Sequence, residues 1–216
     1  QTGAVGATGP SGGGGAGLFD APSSNATRRL AFSNIIDNVS NGAVISGGIL
    51  NTITSSYYGT ISGGRFNMCT DSPDSIIAGG YRNTITSSYR SVISGGFTNT
   101  IQSSEDVIVG GGSSNGILNS YKSGMFSGTA NSINSSTYAV ISGGQANKIN
   151  SSLSSIVGGG LGNGMTGCEF SGIFSGDGHV MASSTTAVIS GGSLNTIQSS
   201  NRSCIVGGIA NRIAGV

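Results

Sequence analysis

Val92–Ser104 reads VISGGFTNTIQSS. Moving the window sixteen residues either way finds the same unit again, without insertion or deletion, from about Ala43 to Val216. Gly96 belongs to a column that recurs at Gly48, Gly64, Gly80, Gly112, Gly128, Gly144, Gly160, Gly176, Gly192 and Gly208. Three residues before each Gly stands an apolar side chain, Ile93 in this copy. Three after it stands Asn: Asn51, Asn67, Asn83, Asn99, Asn115, Asn131, Asn147, Asn163, Asn195 and Asn211, with His179 the single substitute. Two further on, Ile101 belongs to a second Ile column, broken by Cys69, Met165 and Met181. A fixed period of this length marks a solenoid, in which each unit buries its apolar face only by stacking on its neighbours.

The unit is rich in Gly, Ile, Val, Thr and Ser, which disfavours helix, and its apolar columns alternate with small or polar ones as strands do. The expected fold is all-β: a parallel β-solenoid (a β-helix or β-roll) of about eleven coils. Strands stack ~4.8 Å apart, so eleven coils make a rod of roughly 50 Å. The VISG part forms one strand and the NTIxS part a second, with corners at Gly47-Gly48, Ser55-Ser56 and their equivalents. The Asn column is expected inside, as a ladder hydrogen-bonded from turn to turn. A second ladder is expected at Ser56, whose column is Ser in nine of eleven copies. Buried polar groups must be paired, and identical neighbours can pair one another.

Two segments precede the repeat. Residues 1–17 carry Gly3, Gly6, Gly9, Gly12 and Gly15 in one Gly-X-Y frame. Only Gly fits the axis of three wound chains, so this segment is expected to be collagen-like. Residues 18–42 depart from the repeat and are expected to form an N-terminal cap or transition, with Arg28-Arg29 on its solvated edge. The solenoid itself is assigned to 43–216. The start inside a triplet run and the stop within a repeat suggest a segment of a longer fibre, or ends that join subunits into a filament.

Composition narrows the function. Charged residues make up 8% of the chain, there is one His, and the formal charge is +1. That balance offers no basic footprint for nucleic acid or an anionic membrane. No stretch approaches the ~18 apolar residues of a membrane span. The three cysteines, Cys69, Cys168 and Cys204, lack CxxC spacing and replace an Ile, a Ser and a Val of the repeat. They are read as small core substitutes, with Cys204 able to meet its mates at an interface. His179 and Asp177 lack further ligands for a metal. The Gly-rich turns lack the GK[ST] of a P-loop, and no cofactor site is expected. Sequons at Asn25, Asn38, Asn134, Asn150 and Asn201 arise in a chain dense in Asn and Ser.

One face of the first strand implies assembly. Ile45 and its column point inward, yet the outward neighbours are also mostly apolar: Val44, Ile76, Val92, Ile108, Val140, Ile156, Val188 and Cys204. Where this column becomes Gly124 and Gly172, the same-face residue two along becomes Phe126 and Phe174, as though lost volume were refilled. A strand apolar on both sides needs a second layer, and the chain has no other element to supply one. Together with the Gly-X-Y triplets, this predicts a homotrimer, with these residues and the two Phe as its interface. From Val92 onward ISGG, VGGG and FSG coils follow in a forty-eight-residue super-repeat.

At the far corner Asp74, Arg90, Asp106 and Lys122 alternate in sign on successive coils and predict an ion-pair ladder. Tyr57, Tyr58, Tyr89, Tyr121 and Tyr138 share that edge and are the candidate glycan contacts. A polysaccharide depolymerase would need paired carboxylates, for which Asp74 with Asp106, or Asp71 with Asp74, are the candidates. Arg90 between Asp74 and Asp106 favours salt pairing instead.

With its Gly-X-Y segment and its Gly/Ser/Asn-rich ISGGxxNTIxSS repeat, the chain resembles trimeric surface fibres of bacteria and viruses. In architecture it is similar to the heads of trimeric autotransporter adhesins, whose repeats are shorter and carry an AxG-type signature. The resemblance implies a surface-exposed, extracellular trimer that spaces or attaches, and it transfers no binding residue. The function expected is a non-enzymatic structural subunit of an extracellular trimeric fibre or filament on a cell or virion. Its partner is itself, as a homotrimer or an end-to-end polymer. The alternative is an adhesin recognising surface glycans or a host receptor, and after it the depolymerase.

Overall fold

A computed structural model describes residues 33–215 and the short strand Thr27–Arg28. The collagen-like glycines and most of the cap lie outside these residues. Among the described residues every regular element is a β-strand of two or three residues, and the chain is a parallel β-solenoid of about eleven coils. Two twelve-stranded sheets run the length of the rod. The first sheet contains Val44–Ile45, Val92–Ile93 and their equivalents, ending at Cys204–Ile205. The second contains Ile35–Ile36, Thr52–Thr54 and Thr100–Gln102, ending at Arg212–Ala214. Each strand pairs in parallel with its copy one period away, so Ile108 faces Val92 and Ile101 faces Ile117.

The core is narrow. Ile93 from the first sheet and Ile101 from the second are fully buried, as are most of their equivalents. Asn99, Ser104 and Ser91 complete the interior of the same coil. Five inward positions per sixteen residues suffice because every other surface of the coil is covered by the coils above and below.

The corners are more numerous than the two glycine and serine turns expected. In the coil around Val92, Gly96, Thr98, Ser103 and Asp106 all have left-handed φ, at 92°, 56°, 49° and 55°. Equivalents in the other coils repeat the pattern, through side chains as different as Leu50, Phe66, Arg82 and Lys122. The hydrogen bonds give the reason. Ordinary backbone N–H groups point to the following coil, as Val92 donates to the Val107 carbonyl at 3.0 Å. At the left-handed residues the N–H turns back: Thr98 donates to Tyr81, Ser103 to Thr86 and Asp106 to Tyr89, at 2.9–3.1 Å. The strain of a left-handed non-Gly residue, of order 1–2 kcal/mol, is thus offset by a backbone pair that would otherwise be lost.

The Gly96 column demands glycine for space in every coil. A Cβ on Gly96 would lie 2.3 Å from the Gly112 carbonyl oxygen and 2.6 Å from the Asn99 amide nitrogen. The super-repeat has a related steric basis. Gly110 and Gly158 precede the Phe126 and Phe174 coils, and a Cβ there would lie 2.4 Å and 2.3 Å from those Phe carbonyl oxygens.

Candidate functional site

The Asn column is internal, and its amides bond to backbone rather than to one another along most of the rod. Asn99 Nδ2 donates to the carbonyls of Gly95 at 2.9 Å and Gly112 at 3.1 Å, and Asn99 Oδ1 accepts the Asn115 N–H at 3.0 Å. Each amide therefore closes the corner of its own coil and links to the next. The serine column does the same work at the opposite corner. Ser88 Oγ donates to Thr86 and accepts the Ser104 N–H at 3.1 Å.

His179 occupies an Asn position with the acceptor role preserved. Its N–H donates to Asn163 Oδ1 at 3.0 Å, and its Nδ1 accepts the Asn195 N–H at 3.1 Å. The other ring nitrogen, Nε2, is buried without a hydrogen-bond partner. Burial pushes the imidazole pKa down, against smaller opposing effects from nearby backbone groups and Asp177. The ring is held neutral. No group of three or more His, Cys, Asp or Glu lies together among the described residues.

The outward face of the first sheet carries the apolar column as a strip along the rod, with Thr60, Gly124 and Gly172 the members that lack a large apolar side chain. Ile76, Ile108, Ile156 and Cys204 are exposed, and Val44, Val92, Val140 and Val188 are half-buried by their neighbours. Phe126 and Phe174 are 57% and 52% exposed, so both rings stand proud of the strip. The volume exchange inferred from sequence holds in one coil. The Phe174 ring approaches within 3.6 Å of where a Gly172 Cβ would be, whereas Gly124 has open space above it. Phe174, Gly172, Ile156 and Val188 line an apolar groove of about 310 Å³, which Phe170 closes from the adjoining corner. Cys204 is free on this face. Cys69 and Cys168 are buried, and burial pushes the Cys69 thiol up to about 11.

At the far corner the expected ion-pair ladder of four residues and three links reduces to one link. Arg90 Nε meets Asp106 Oδ1 at 2.6 Å, and the same guanidinium also takes Glu105. That hydrogen bond from Arg90 holds the Asp106 carboxyl below its ordinary range. Lys122 turns away to lie over the rings of Tyr121 and Tyr138, at 4.8 Å and 5.9 Å. Asp74 enters no ion pair among the described residues. The tyrosines share this edge, and Tyr57, Tyr58, Tyr89, Tyr121 and Tyr138 are all exposed. Tyr89, Glu105 and Tyr121 line an open depression of about 390 Å³.

The other corner, between the Gly column and the second sheet, carries a cluster that the sequence reading passed over. Tyr81 stacks on Phe97 with centroids 5.3 Å apart and planes 6° from parallel, and Phe66 meets Tyr81 edge-on at 5.7 Å. Arg65 lies over the Phe66 ring at 4.9 Å. Arg82 lies over Tyr81 at 5.3 Å and Phe66 at 5.7 Å. The signal was present: aromatic and Arg residues stand one period apart at 65–66, 81–82 and 97. It is visible only when the two columns following Gly are read down the stack.

Comparison with models of known protein families and with curated protein sequences finds no match.

Proposed function

We propose that the chain is a non-enzymatic structural subunit of an extracellular trimeric fibre or filament on a cell or virion surface. The observation that carries this reading is the uncovered apolar strip on the first sheet. Ile108 and Phe126 remain 47% and 57% exposed on successive coils, in a run that continues down the rod. A strip of this length is the usual mark of a protein–protein contact, and parallel sheets are ordinarily covered on both faces. Three chains are proposed because Gly-X-Y triplets wind in threes and parallel rods around one axis bury equivalent strips together.

Sedimentation velocity of the purified chain tests this. A species of three chains is expected, and Ile108→Asp, which puts a charge in the strip without touching the solenoid core, should dissociate it. A stable wild-type monomer overturns the reading. Mild oxidation gives a second test. If Cys204 meets its mates at the axis, disulfide formation joins two chains and leaves the third free. Gels without reductant should then show dimer and monomer bands in comparable amounts and no covalent trimer.

A second reading is favoured by the tyrosine edge. The depression along Tyr89, Glu105 and Tyr121 supports an attachment fibre that recognises glycans or a surface receptor. Reproducible binding on a glycan array, abolished by Tyr89→Ala with Tyr121→Ala, would favour it over a purely structural role.

A further inference from the structure

The geometry points to an acidic-saccharide site on the corner formed by Arg65, Phe66, Tyr81, Arg82 and Phe97. This surface is separate from the tyrosine edge and from the apolar strip. Two features of the cluster act together. Tyr81 and Phe97 stack on each other across successive coils, so their facing sides are covered, and Phe97, 51% exposed, is the ring a ligand can reach. An aromatic face is the negative part of the ring quadrupole and attracts the weakly polarised C–H face of a pyranose. The stacked partner holds the Phe97 ring in place, and the half-exposed ring offers a platform for one sugar unit beside the arginines.

The arginines supply the charge preference. Both Arg65 and Arg82 are exposed, and neither forms an ion pair or a side-chain hydrogen bond among the described residues. Arg90, by contrast, is consumed by Glu105 and Asp106. The two guanidinium groups lie over Phe66 and Tyr81 at 4.9 Å and 5.3 Å, and their N–H edges have no side-chain partner among the described residues. Those edges form the planar fork that matches a carboxylate, or another anionic oxygen pair, in two parallel bonds. Contact with the rings also holds each fork in place before the ligand arrives, which lowers the ordering cost of binding. No acidic side chain is among the cluster or its cation–π contacts. An anionic ligand would therefore compete with no internal counter-ion.

A single-stranded nucleic acid would also use stacked aromatics and Arg. It is disfavoured because two cations do not make a charged track and the chain carries a formal charge of only +1. The ligand inferred is a sugar polymer bearing a carboxylate or a sulfate.

The test uses the full chain in its native assembly, immobilised and exposed to a polyuronate, a sulfated polysaccharide, a neutral glucan of similar length and single-stranded oligothymidylate. Salt-sensitive binding to one or both acidic polymers is expected, and which of them binds tells carboxylate from sulfate. Arg65→Gln and Arg82→Gln should each weaken it roughly tenfold or more, as for loss of a charge-assisted hydrogen bond. Phe97→Ala should weaken it too, while Tyr89→Ala leaves it unchanged. The inference is overturned by no binding of either acidic polymer, by equal binding of the neutral glucan, by tighter binding of the oligonucleotide, or by indifference to both arginine substitutions. It is also overturned if Arg82→Gln alters the sedimentation coefficient, since the corner would then be a contact between chains. Because no residue of the apolar strip is changed, a failure here leaves the trimer reading standing, and the reverse also holds.

Discussion

His179 shows what the internal ladder requires of a residue. Every other member of its column is Asn, which offers one acceptor for the next coil and two donors for the corner carbonyls. Imidazole reproduces the acceptor through Nδ1 but leaves Nε2 buried and unpaired. A proton added to Nδ1 would face the Asn195 N–H directly and remove that bond, a loss of about 1–3 kcal/mol for a buried donor. The pKa of His179 is lower in the fold than in the unfolded chain. The unfolded chain therefore takes up the proton first as pH falls, and stability drops. The contribution is complete above the unfolded value of about 6.5. It declines as pH falls through the folded value and levels off below it. Asp177 is the charged group that acts on the ring, and it opposes the shift only weakly. The protection of the Asn195 amide against hydrogen exchange, corrected for the intrinsic pH dependence of the rate, should fall below neutrality in the wild type and stay flat with pH in His179→Asn. That substitution should also stabilise the coil at every pH, because its amide restores the two missing donor bonds. An unchanged exchange profile between the two proteins would contradict the account.

At the scale of the coil, legibility divides by what each column depends on. The Ile and Asn columns could be read because their positions demand a residue type: apolar volume facing the core, or an amide facing three backbone groups. The Gly48 column could be read because no other residue fits beneath the next coil's carbonyl. The Tyr58 column could be placed at the far corner, but the left-handed backbone of the Leu50 and Tyr58 columns could not be read. Their left-handed φ is imposed by a backward N–H bond to the preceding coil, and the side chains point outward and vary freely. The Arg–aromatic cluster was missed for a related reason, since its members are neighbours in the stack and not in the chain. Adjacent glycines make the column rule testable. Gly79 has open space at its Cβ position, whereas a Cβ on Gly80, at φ 88°, would lie 2.3 Å from the Gly96 carbonyl. Gly79→Ala should be tolerated within about 0.5 kcal/mol, the usual range for a surface change. Gly80→Ala should cost about 3 kcal/mol or more, combining backbone strain with a displaced coil. Chemical denaturation of the two variants side by side measures the difference. Similar midpoints would mean that the coils separate more easily than their hydrogen bonding implies.

The whole rod is a sum of near-identical layers, and this governs how it should respond to loss of length. Each coil contacts only the coil before and the coil after, so stability is approximately a sum of unit and nearest-neighbour contributions. The super-repeat places Met125-Phe126 and Ile173-Phe174 in the same register forty-eight residues apart, each preceded by a VGGG coil. Deleting residues 125–172 therefore joins Gly124 to Ile173 with every column continuous. Phe174 takes the place of Phe126 over the same groove position, and Gly110, which has no Cβ to clash with the Phe126 carbonyl, lies beneath it. Three coils at ~4.8 Å each make the expected shortening roughly 14 Å by small-angle scattering. The circular dichroism spectrum per residue should be unchanged, and the number of chains per particle should be preserved because the remaining strip stays in register. A deletion of forty-seven residues from the same place leaves a one-residue slip that would carry the Ile column to the outer face and the strip inward, and it should not fold. If the forty-eight-residue deletion also failed to fold, the coils would not be interchangeable. Stability would then depend on contacts reaching beyond nearest neighbours, and the packing described for each layer would be incomplete.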